Sequence, residues 1–157
     1  MPYLVVVRLL LVLLTLAVWL PPTTAQAPAE FEAAPAPAPG ATAAPANQVS
    51  LFFGGGSAYL YPQEIARLRD FLAAHGDLAA YTLQLQGHTD DIGDRAYNLR
   101  LSAARVTSVR RWLLAQDIPD AAIEALPLGE DAPAFSNDTW EGKLNNRRVD
   151  VILRPLM

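Results

Sequence analysis

The sequence predicts an α/β fold: an α+β sandwich in the order βαβαββ, with one mixed four-stranded sheet and helices packed on it. Three observations carry the prediction. Short apolar or alternating runs at 49–53, 81–86, 123–128 and 149–153 have the length and period of strands. Two longer stretches, one opening at Pro62 and one around Val106, repeat apolar residues at helical spacing. Glycines and prolines stand at most of the junctions between these runs.

Taken in order, Val49 to Phe53 is apolar and stops at Gly54-Gly55-Gly56, so it reads as a buried strand. Pro62 suits a first helical turn; Ile65, Leu68 and Leu72 then lie on one face, Phe71 widens it, and Gly76 ends the helix. Tyr81, Leu83 and Leu85 alternate with Thr82, Gln84 and Gln86, a half-buried strand ending at Gly87-His88. A polar loop is expected from Thr89 to about Leu101, with Ser102 as the N-cap of the second helix. Val106, Val109 and Leu113 form its buried stripe with Trp112 beside them, and Ile118-Pro119 closes it. Ile123 to Leu128 is the third strand, and Val149, Val151 and Leu153 mark the fourth.

Of the 12 basic and 16 acidic residues, 11 and 14 lie from Val49 onward, so this part is weakly acidic. That balance argues against a nucleic-acid partner held through its phosphates. The absence of cysteine leaves out a disulfide scaffold, thiolate zinc sites, a cysteine nucleophile and lipid attachment at a cysteine. Ahead of this part, Leu9 to Leu20 is an apolar run broken only by Thr15, preceded by Arg8 and closed by Pro21-Pro22. Its length suits a signal-peptide core better than a membrane span. Residues 1–25 are therefore expected to be a signal peptide, cleaved near Gln26; the alternative is an uncleaved N-terminal membrane anchor. Residues 26–48 form an Ala/Pro-rich linker that favours extended polyproline II over helix or strand. The folded domain is expected over 49–157.

Chemistry concentrates between Gly87 and Leu113. Asp90, Asp91, Asp94 and Asn98 follow the carboxyl end of a strand, where α/β sheets form ligand crevices. With Ser102 as N-cap, Arg105 would fall in the first helical turn, beside free backbone N–H groups suited to an anion. Asp90 nearby would hold a cation. Together they would fit a zwitterion such as an amino-acid head group; the competing reading is that Asp90 and Arg105 pair with each other.

These residues resemble a known family. GHTDxxG at Gly87–Gly93, Asn98, LSxxR at Leu101–Arg105 and NRRV at Asn146–Val149 are similar to the OmpA-like C-terminal domain, in the family's order, and the likeness runs from about Val49 to Leu153. The resemblance implies non-covalent binding of peptidoglycan. It implies that Asp90 and Arg105 grip the diaminopimelate residue of the stem peptide, its ammonium and carboxylate matching carboxylate and guanidinium. It adds Thr89, Asn98 and an arginine of NRRV. Arg148 is preferred for that arginine, because Arg147 shares strand parity with Val149 and Val151 and would turn to the packed face. The resemblance further implies no cofactor, no enzymatic activity, and a place in the periplasm or envelope of a Gram-negative-type bacterium, associated with the outer membrane or, if the N-terminus stays uncleaved, with a membrane through it. Two departures stand out: Gly54 where an Asp is common, and Val106 where Ala is usual.

Other readings are weaker. His88 with Asp90, Asp91 and Asp94 could form a metal-binding module, but lacks the order of a calcium loop. The same acids could serve a peptidoglycan hydrolase, yet no apolar pocket that would hold one protonated is legible. Tyr59, Tyr61 and Trp140 are candidates for stacking on sugars, Trp140 within a polar loop; Trp112 reads as core. Arg100, Arg110 and Arg111 read as a solvated helix face.

Overall fold

A computed structural model describes residues 47–156. The predicted signal peptide, and all of the predicted linker except Asn47 and Gln48, lie outside the described residues. Asn47 already belongs to the sheet's hydrogen bonding: its carbonyl accepts from Leu153 N at 2.8 Å.

The elements are β1 (Gln48–Phe52), α1 (Pro62–Ala74), β2 (Tyr81–His88), α2 (Arg95–Leu114), β3 (Ile123–Gly129), α3 (Trp140–Asn146) and β4 (Arg148–Pro155), with single 3₁₀ turns before β2 and β3. The sheet order is β1-β4-β2-β3. β4 pairs antiparallel with both β1 and β2, and β2 pairs parallel with β3. The sheet is therefore mixed, as predicted. β4 sits in the centre because its alternating valines, Val149 and Val151, with Leu153, bury completely against Leu51, Leu83 and Leu85. Leu68 and Leu72 of α1 and Val106, Val109 and Leu113 of α2 close this core from one side, with Trp112 packed at its margin. Among the described residues no helix is long and apolar enough to cross a membrane.

Two expectations need correction. α2 begins at Arg95, not after Ser102, and the polar loop is correspondingly short. Asp94 is the cap: its carboxylate accepts from Tyr97 N at 2.7 Å. Ser102 looks like a cap in sequence because it is small and polar, but both properties serve packing inside the helix. A Cβ on Gly87 would stand 2.7 Å from the Ser102 carbonyl oxygen and 2.6 Å from Val106 Cγ2, so α2 lies directly on β2. Ser102 Oγ donates to Leu99 O at 2.8 Å and accepts from Gly129 N at 3.0 Å, fastening α2 to the end of β3.

The second correction is α3, which the βαβαββ order lacks. Trp140 opens this helix and does not lie in a loop. Thr139 caps it by accepting from Gly142 N at 3.0 Å. The preceding loop is held by Asn146, whose Oδ1 accepts from Ala134 N and Phe135 N while its Nδ2 donates to Phe135 O.

Candidate functional site

β1 and β2 run parallel on either side of β4, so the ends of β1 and β2 and the start of β4 meet at one edge of the sheet. The Gly54–Ser57 turn, the Thr89–Asp94 loop and the α3–β4 corner converge there. The predicted residues Asp90 and Arg105 are both present, but not as the sequence suggested.

Arg105 lies in the interior of α2 and is 1% exposed, far from the free N–H groups of the helix start. Its guanidinium spends three of its five donors on backbone carbonyls: Ser57 O at 2.9 Å, His88 O at 2.8 Å and Gly54 O at 3.0 Å. It thus ties the turn after β1 to the end of β2. Phe53 lies under the guanidinium, 5.4 Å from ring centroid to Cζ. Burial pulls its pKa down to about 10, opposed by the nearby Asp90 carboxylate, so the group stays charged at neutral pH.

Asp90 is buried and pairs with Arg147: Arg147 Nε donates to Asp90 Oδ2 at 2.6 Å. Its other oxygen accepts only a long bond, 3.4 Å, from Ile92 N. The parity argument that turned Arg147 toward the packed face fails because Arg147 precedes β4. It caps α3 with φ −77° and ψ 69°, outside strand geometry. Its guanidinium lies 4.9 Å from the ring centroid of Trp140 and against Gly55, where a Cβ would stand 3.2 Å from Nη1.

Arg148, preferred from the sequence, points to the other face of the sheet. There Nε donates to both oxygens of Asp150, at 3.2 and 3.1 Å, and Ser50 Oγ donates to Asp150 Oδ1 at 2.6 Å. His88 shares this cluster, its Nε2 3.6 Å from Asp150 Oδ2. Burial first, and then the Arg148 charge, lowers the His88 pKa to about 4 against the pull of Asp150. Thr89 and Asn98 are fully buried beneath the loop. Asn98 Nδ2 donates to Glu130 at 2.5 Å, whereas Asn98 Oδ1 and Thr89 Oγ1 have no hydrogen-bond partner among the described residues. Of the acidic loop, Asp91 pairs with Lys143 of α3 and Asp94 caps α2, so His88, Asp90, Asp91 and Asp94 do not converge. No group of three or more metal-ligating side chains occurs among the described residues.

Sequence reasoning set Arg147 aside in favour of Arg148, and it missed the Arg147–Asp90 pairing and the position of Trp140. The signal for both was the Thr139-x-x-Gly142 cap spacing, which implies a short helix ending where NRRV begins.

Comparison with known proteins sets this geometry in a family. The model of the OmpA family matches residues 52–147. A probable lipoprotein of Escherichia coli, YiaD, is 35% identical over 104 residues, 66% of this chain and 48% of its own length. The peptidoglycan-binding protein ArfA of Mycobacterium tuberculosis is 34% identical over 104 residues, 64% of this chain and 31% of its own. This chain therefore spans less than half the length of either relative. The crystal structure of the peptidoglycan-associated lipoprotein from Burkholderia pseudomallei superposes with a TM-score of 0.59 at 29% identity, covering 67% of this chain and 89% of that one. With more than half of its residues matched by the family model, the chain belongs to the OmpA family.

Proposed function

We propose that the domain binds peptidoglycan non-covalently, taking the zwitterionic head group of a diaminopimelate side chain across Asp90 and Arg147, with Arg105 behind them. The carrying observation is the buried Asp90–Arg147 pair between the end of β2 and the start of β4. A carboxylate and a guanidinium already matched to each other present the two complements that an ammonium and a carboxylate require. Asp90 Oδ1 has acceptor capacity left for the ammonium. Arg147 takes the part that the resemblance assigned to Arg148. Arg105 ties the turn after β1 to the end of β2 and adds positive potential; Thr89 and Asn98 are buried. The names of two relatives, one peptidoglycan-binding and one peptidoglycan-associated, support the same ligand.

Binding accounts for the arrangement better than hydrolysis does. Among the described residues Ser50, Asp150 and His88 lie together. Ser50 Oγ donates a hydrogen bond to the Asp150 carboxylate, and the neutral, buried imidazole makes no hydrogen bond to that hydroxyl, so the histidine does not act on the serine as a base. We place the chain in the cell envelope, exported by the signal peptide read at 1–25, with the linker at 26–48 ahead of the folded domain.

Co-sedimentation with purified sacculi tests the reading. Asp90→Ala should cost about 2–5 kcal/mol of binding and leave the protein in the supernatant. Sedimentation equal to the wild type would overturn it, and release of soluble muropeptides by the wild type alone would make Asp90 catalytic.

A further inference from the structure

Trp140 is the most exposed large hydrophobic side chain among the described residues, at 65%. A single exposed apolar residue needs no explanation. This one differs by its neighbour. Its ring stacks on the guanidinium of Arg147, which is itself buried and paired with Asp90. The indole is therefore held as an outer wall of the head-group site, one part of it against Arg147 and the rest in solvent. Thr139 fixes its position by capping the helix that Trp140 opens.

We propose that the solvent face of Trp140 is a stacking platform for the muramyl sugar that carries the stem peptide. The inference rests on the site reading above and extends it from the peptide to the glycan. The reach is sufficient. The diaminopimelate side chain and two further residues separate the bound head group from the sugar, a tether longer than the roughly 7 Å that two extended residues alone would span. The indole centroid lies 4.9 Å from the Arg147 guanidinium, so a bent tether brings the sugar onto the ring. The chemistry is also compatible. A pyranose presents one face of polarised C–H bonds, and the indole face carries the negative end of a ring quadrupole. The cation behind the ring keeps it oriented with little entropy left to lose on binding.

Titration calorimetry on the full chain in detergent tests this with two ligands: the free tripeptide ending in diaminopimelate, and the same tripeptide on N-acetylmuramic acid. The wild type should bind the muramyl form more tightly. Trp140→Ala should weaken the muramyl form by about tenfold more than the free tripeptide, while Trp140→Phe keeps most of the difference. Equal weakening of both ligands in Trp140→Ala would overturn the proposal, because Trp140 would then only brace Arg147. No weakening of either would overturn it as well. Asp90→Ala separates the two levels of the argument: it should lose both ligands. Retention of both in that variant, or failure of the wild type to bind either, would instead overturn the site reading, and a wild type that binds neither takes the sugar platform down with it.

Discussion

Arg147 and Arg148 are adjacent, both buried, and each pairs with an aspartate, yet they end on opposite sides of the sheet edge. Arg147 closes α3 and reaches Asp90 across a tertiary contact, next to an exposed indole. Arg148 opens β4 and pairs with Asp150 two residues along its own strand, where Ser50 and His88 complete the cluster. The first pair joins separate elements and has a neighbouring cation in Arg105, whose charge Asp90 supports. The second has beside it a histidine that burial keeps neutral. The same two residue types thus make the pair for which we propose a ligand and a structural one, and the difference lies in what remains when one partner is removed.

That difference sets the largest expected effect. Arg148→Ala leaves the Asp150 carboxylate buried without a counter-charge, a loss of about 3–5 kcal/mol of stability. The melting temperature should fall by about 10 °C or more. The molecules that remain folded should still sediment with sacculi. Arg147→Ala should do the reverse. Asp90 keeps the field of Arg105, so the melting temperature moves less, but binding to sacculi should weaken by about 2–5 kcal/mol. Thermal melts and sedimentation of the two variants side by side decide the matter. If Arg148→Ala abolished binding in the folded fraction while Arg147→Ala did not, the assignment of the two pairs would be inverted.

The strands and the two long helices were legible because their signals are periodic and local: Leu83 and Leu85, Val149 and Val151, Leu68 and Leu72 bury as their spacing requires. The site was legible in composition but not in geometry. Asp94 and Ser102 are both competent caps, and the choice between them depends on a tertiary fact, the contact of Gly87 with the helix backbone at Ser102. Once the helix starts at Asp94, Arg105 moves from an anion site at a helix terminus to a brace for three carbonyls. The parity that favoured Arg148 was a sound rule applied one residue too early, because α3 and not β4 holds Arg147. A seven-residue helix with one exposed tryptophan carries too little periodicity to be found by pattern; its cap spacing was the only trace.

A smaller effect sharpens the structural side of the comparison. His88 is held neutral in the fold, with its pKa lowered from 6.5 to about 4. A base whose pKa is depressed on folding contributes stability that is present above its unfolded value and is lost as pH falls through the interval to the folded value. Stability should therefore decline between about pH 6.5 and pH 4 by a few kcal/mol at most, as protons bind preferentially to the unfolded chain. Carboxylates titrate near the lower end of that window, so the informative quantity is the difference between two profiles. His88→Gln cannot take up the proton, and its melting temperature should be flatter from pH 6.5 to 5 than that of the wild type. Parallel profiles would mean that His88 is charged in the fold, and that Asp150 has a second cation after all.

The smallest effect belongs to the third ion pair at this edge, Lys143 with Asp91, which links α3 to the loop beside Asp90. Its geometry resembles a clamp on the site, and the Lys143 ammonium holds the Asp91 pKa below its usual value through their hydrogen bond. Exposure decides otherwise. The Asp91 side chain is 48% exposed, against 9% for Asp90, so water screens the attraction and hydrates either partner when the other is lost. α3 is positioned without this pair, by the Thr139 cap and by Arg147 on Asp90. Lys143→Gln should accordingly leave the melting temperature unchanged within measurement error, and should leave sedimentation with sacculi unchanged at physiological salt. A fall in melting temperature comparable to that of Arg148→Ala would show that the loop depends on α3 for its conformation. The line between ligand-facing and structural pairs would then have to be drawn by connectivity and not by burial.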